Sequence, residues 1–92
     1  DLVALNTESR DILFGECKWS QQPIGIDILK SLYYKTRQVR WRRETRKEWF
    51  TIFSRSGFQD TLIERARHPN SEGRYDVILV HSGRVIAGPD SG

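Results

Sequence analysis

Cysteine occurs once in this 92-residue chain, methionine not at all, and proline three times. The lone Cys17 rules out an internal disulfide and leaves no set of thiolates for a zinc site, so a reducing, cytoplasmic setting is expected. No apolar run approaches the roughly 20 residues needed to span a bilayer, and no basic-then-apolar leader opens the chain, so no membrane partner is expected. A G-x-x-x-x-G-K-[ST] stretch is missing, and with it the usual cradle for nucleotide phosphates. His68 and His81 are isolated, without H-x-x-x-H spacing. Ser54, Ser56 and Ser82 lie in no G-x-S-x-G elbow. None of these five residues is given a catalytic role.

Charge is abundant and unevenly placed. The formal net charge is +3, yet Lys35 to Lys47 holds seven basic residues against Glu44 alone, a local balance of +6 that leaves the remainder at −3. Five of the seven are arginines (Arg37, Arg40, Arg42, Arg43 and Arg46), with Trp41 among them. Guanidinium groups suit phosphate, and an interleaved aromatic ring suits stacking on a base or sugar. The plainer reading is a solvated loop, because a run of like charges repels itself.

Two apolar runs open the chain, Leu2 to Leu5 and Ile12 to Gly15, around the polar stretch Asn6 to Asp11. They are expected to pair as a hairpin with Leu5 opposite Ile12, which sets Asp1 opposite Glu16. Strand alternation puts Glu16 and Lys18 on one face, above Val3, Leu5, Ile12 and Phe14. Pro23 can open a helix running to about Arg37, in which Ile24, Ile28 and Leu32 recur every four residues and Lys30 and Lys35 turn toward water. Trp49 to Phe53 reads as a buried strand, Gln59 to His68 as a short helix stopped by Pro69, and Tyr75 to Val80 as a second buried strand turning into Val85 to Ala87. Trp49 is expected in the core and Trp41 at the surface. Residues 1–87 form one small α/β domain of order β-β-α-β-α-β, and residues 88–92 a flexible tail.

Asp1 with Glu16, Cys17 and Lys18 resembles the D…(D/E)-x-K pattern of the PD-(D/E)XK nuclease superfamily. The runs from Asp1 to Leu5, Ile12 to Ser20 and Phe53 to Phe58 are similar to the nuclease-like C-terminal domain of unknown function in archaeal and bacterial AAA-type ATPases. The resemblance implies a restriction-endonuclease-like mixed sheet with flanking helices. It also implies a fragment whose opening helix and strand are missing and whose parent carries an ATPase module. Magnesium or manganese would be held by Asp1, Glu16 and the Cys17 carbonyl, with Asp1, Glu16 and Lys18 catalytic. DNA would be the substrate, contacted by Arg37, Arg40, Trp41, Arg42, Arg43, Arg46 and Arg55.

Three classes of function compete. One is a metal-dependent endonuclease, and another is an inactive module that binds nucleic acid through its arginines. The third is an assembly domain, homo-oligomeric or partnered, that would use Trp19, Trp41 and Phe58. Without the resemblance, Glu16 and Lys18 would be the solvent side of a hairpin.

Overall fold

A computed structural model describes residues 2–89. Five strands form one mixed sheet: β1 (Leu2–Asn6), β2 (Asp11–Lys18), β3 (Lys47–Ser54), β4 (Val77–His81) and β5 (Arg84–Ala87), side by side in that order. Helix α1 (Asp27–Thr36) links β2 to β3, and α2 (Asp60–Ala66) links β3 to β4. The pairs β1–β2 and β4–β5 are antiparallel, and β2–β3 and β3–β4 are parallel. The chain is therefore α/β, and the hairpin forms in the expected register, with Leu5 opposite Ile12 and Leu2 opposite Gly15.

Alternation along the strands divides the sheet into two unlike faces. Ile12 and Phe14 of β2, Phe50 and Ile52 of β3, and Val77 and Leu79 of β4 share one face and join Ile28, Leu29 and Leu32 of α1 and Leu62 and Ala66 of α2 in a single core. Both helices therefore pack on this face. The Phe14 and Phe50 rings stack at 6.0 Å, and Tyr33 meets Phe50 edge-on at 5.0 Å. Among the described residues no helix covers the other face, where Leu2, Phe53 and Val85 stay 50%, 39% and 56% exposed. Trp49 belongs to this second face rather than to the core, because Phe50 takes the inward position. Its Nε1–H donates to Asp11 Oδ1 at 3.0 Å, and the Arg74 guanidinium lies 5.3 Å from its ring.

Helix α1 begins four residues later than Pro23 would allow. Ile24 donates its N–H to the Gly57 carbonyl at 3.0 Å and accepts from Gln59 N–H at 2.8 Å, so this stretch is held as a parallel bridge to the loop after β3. A Cβ on Gly25 would stand 2.7 Å from Gln59 Oε1, the mobile end of a side chain that can move aside. The bridge takes the Ile24 carbonyl, which in a helix from Pro23 would accept from the N–H four residues on.

Arg46 overturns its expected place in a nucleic-acid surface. Its side chain is 1% exposed and its donors are spent internally. Nη1 donates to the carbonyls of Val39 and Trp41, Nη2 donates to the Thr36 carbonyl, and Nε and Nη2 fork onto Glu48 Oε2 at 3.0 and 2.8 Å. One guanidinium thus bonds the last carbonyl of α1 and two carbonyls of the loop that follows, and ties them to the start of β3 through Glu48. Trp41 is drawn half into the core by the same closure, against the expectation of an exposed ring.

Removing this buried guanidinium leaves the carbonyls of Val39 and Trp41 and the partly solvated Glu48 without its donors, while the Thr36 carbonyl keeps the Val39 N–H at 3.3 Å. Arg46→Met is expected to lower unfolding free energy by about 3 kcal/mol in urea titration, against about 0.5 kcal/mol or less for the exposed Arg40→Ala. Equal effects from the two variants would refute this role.

Candidate phosphate and metal site

Strands β2, β3 and β4 run parallel, so their carboxyl ends open at one edge of the sheet, the usual position for a ligand in α/β folds. Glu16 and Lys18 occupy that end of β2, opposite Ile52 and Ser54 of β3. They share the helix-covered face with Ile12 and Phe14. Lys18 Nζ lies 3.4 Å from Glu16 Oε1, and the Glu16 side chain is 11% exposed against 41% for Lys18.

A third group completes the cluster. Lys35, in the last turn of α1, places Nζ 2.7 Å from Glu16 Oε2. This corrects the expectation that Lys35 faces water. The signal was present in the spacing, since Ile28, Leu32 and Lys35 follow the i, i+4, i+7 stripe that α1 turns to the sheet. The long methylene stem can pack along that apolar stripe while the ammonium reaches the carboxylate. A cation in the last turn also suits the helix dipole.

Burial pushes the Glu16 carboxyl upward. The hydrogen bond from Lys35 and the charges of Lys35 and Lys18 outweigh that effect, and the net position is below the ordinary glutamate value. Glu16 is therefore ionised at neutral pH.

The other expected residues divide by position. Asp1 lies outside the described residues. Cys17 stands between Glu16 and Lys18 with its side chain exposed on the opposite face of the sheet. Arg55 follows β3 directly, at the same edge as Lys18, and its N–H donates to the Lys18 carbonyl at 3.3 Å. Arg37, Arg40, Arg42 and Arg43 are exposed, but they precede β3 and so sit at the opposite edge of the parallel strands. A hollow of about 350 Å³ there includes Arg37 and Arg43 together with Glu48, Glu72 and Asp76, so its cations are largely matched by carboxylates. Of the basic segment, Lys35 thus joins the Glu16 cluster, and the exposed arginines that follow it lie toward the other edge.

Divalent magnesium or manganese needs several hard oxygen donors. Among the described residues no three His, Cys, Asp or Glu side chains gather, and each Glu16 oxygen already faces an ammonium. These side chains alone do not make a complete metal site. What the arrangement offers directly is an ionised carboxylate that holds two ammonium groups in place, one of them half open to solvent. Compared with protein-family models, curated proteins and solved structures, the chain matches none.

Because the Glu16 carboxyl is held below its ordinary value, its contribution to stability is present above that value and lost as pH falls through the folded-state one. Asp11, held low by hydrogen bonds from Ser9 and Trp49, adds to the same acid limb. Glu16→Gln is expected to cost about 1 kcal/mol at pH 7, since its partners are partly solvated, and to flatten but not abolish the acid loss. Urea titrations from pH 3 to pH 7 read both. An unchanged acid limb in the variant would remove Glu16 from this account.

Proposed function

We propose that this chain is a nuclease-like domain that acts on nucleic acid, with DNA as its partner. The observation that carries the reading is the convergence of Glu16 and Lys18 at the carboxyl end of β2, with Arg55 at the same edge. A nucleic acid presents phosphates in series, and an exposed ammonium anchored by a carboxylate beside a guanidinium is suited to contact one or two of them. The exposed arginines of residues 37–43 supply a second, more diffuse contact at the far edge.

The element order supports a restriction-endonuclease-like plan, because an antiparallel hairpin is followed by two strands parallel to β2, each reached through a helix. In that plan Lys18 stands beside the attacked phosphate and stabilises charge developing on its oxygens. Lys35 and Lys18 together keep Glu16 ionised. Magnesium or manganese would supply a Lewis acid in such a site, with Asp1 needed beside Glu16 and the Cys17 carbonyl. An ATPase module in the parent chain and a cytoplasmic setting belong to the same proposal.

Placement of the E-x-K triplet at a strand end favours hydrolysis over binding alone, and the two readings separate experimentally. Binding of DNA should weaken steeply with salt, and Lys18→Ala and Arg55→Ala should each reduce the log–log slope by about one. Cleavage of supercoiled DNA with manganese should disappear in Glu16→Gln and Lys18→Ala, with the fold intact by circular dichroism. Salt-insensitive affinity would reject a phosphate contact, and cleavage unchanged in both variants would reject this site.

A further inference from the structure

Beside Lys18, on the face of the sheet that no described helix covers, lies a mostly apolar cavity of about 190 Å³. Cys17, Trp19, Phe53 and Val80 line it with Lys18 and Arg55, and no acidic side chain is in the lining. The Lys18 ammonium itself pairs with Glu16 on the helix-covered face, which leaves Arg55 as the other cationic residue of the lining. The turn between β4 and β5 closes one side, with Ser82 at φ 51° and Gly83 at φ 80°. Trp19 is 76% exposed and Phe53 39% exposed, so two aromatic rings border this cavity in contact with water.

The chemistry of the lining narrows the occupant. Aromatic walls favour a flat ring, and Arg55 at the edge favours a ring linked to an anion. The volume falls below the several hundred cubic ångströms typical of a small-molecule site, which suits one ring system rather than a larger ligand. The hollow beside the basic segment differs, since carboxylates share its lining. A nucleobase with its flanking phosphate meets all three conditions. A base within a duplex does not, because its faces are covered by its neighbours in the stack.

We infer that this cavity takes one unpaired nucleobase, stacked on Trp19 with Phe53 opposite, while Arg55 receives the adjoining phosphate. The inference rests on the nucleic-acid reading above and adds a substrate class to it, single-stranded or locally unpaired strands. Nucleic acid would then be engaged at the edge that carries Glu16, with the unpaired base held on one side of the sheet and the backbone led toward Lys18.

Fluorescence anisotropy of the whole chain without metal, with a labelled single strand and a duplex of the same sequence, tests it. The single strand should bind more tightly than the duplex. Trp19→Ala should weaken single-strand binding about tenfold, as for loss of one stacked base, and leave duplex binding within about twofold. Trp19→Phe should restore most of the affinity, and the exposure of Trp19 makes both variants compatible with folding. A silent Trp19→Ala, or a duplex bound as tightly as the single strand, overturns the inference while salt-dependent duplex binding keeps the nucleic-acid reading. Absence of binding to either form overturns both.

Discussion

Glu16 stands on the same face of β2 as Ile12 and Phe14, two residues beyond the last core position, and this shared facing governs the site. A carboxylate in that place is nearly covered by the layer of helices and would be costly unpaired. Lys35 resolves the cost from the helix and Lys18 from the strand itself. The cluster is therefore a consequence of core packing as much as of surface chemistry. Moving β2 by one residue would send Ile12, Phe14, Glu16 and Lys18 to the other face together.

The two basic regions owe their separation to the parallel arrangement of β2 and β3. A connection between parallel strands must return along the sheet, so the chain leaves the site edge through α1 and arrives at the opposite edge in the arginine segment. Arg46 is the residue that makes this return compact, since one buried fork gathers three carbonyls and Glu48. What reads in sequence as a single basic patch is in space Lys35 bound to Glu16, one structural arginine and a set of exposed ones. None of the exposed set stands at the Glu16 edge. Arg55, a single basic residue outside that run, does.

Much of the architecture could be read from residue order. Hairpin register followed from the match of Leu2 to Leu5 with Ile12 to Gly15, and the positions of β3, β4 and both helices followed from β-branched and aromatic runs and from four-residue spacing. The start of α1 could not, because Ile24 bonds to Gly57 and Gln59, residues more than thirty positions away. Trp49 and Trp41 both end partly buried, neither where its expectation put it, for a related reason. Composition identifies a strand or a loop, but which aromatic ring turns inward depends on the neighbour that occupies the core position.

Local order by itself determined the facing of Glu16 with Lys18, since alternation is a property of one strand and needs no partner. It also determined the α/β class, because periods of two and of nearly four residues follow from backbone geometry. Tertiary structure alone decided that Lys35 would hold Glu16, that Arg46 would be spent inside, and that Trp19, Phe53 and Arg55 would border one cavity. Each of those depends on how elements distant in the chain cross and pack, and the energy that selects the crossing is spread over the whole core.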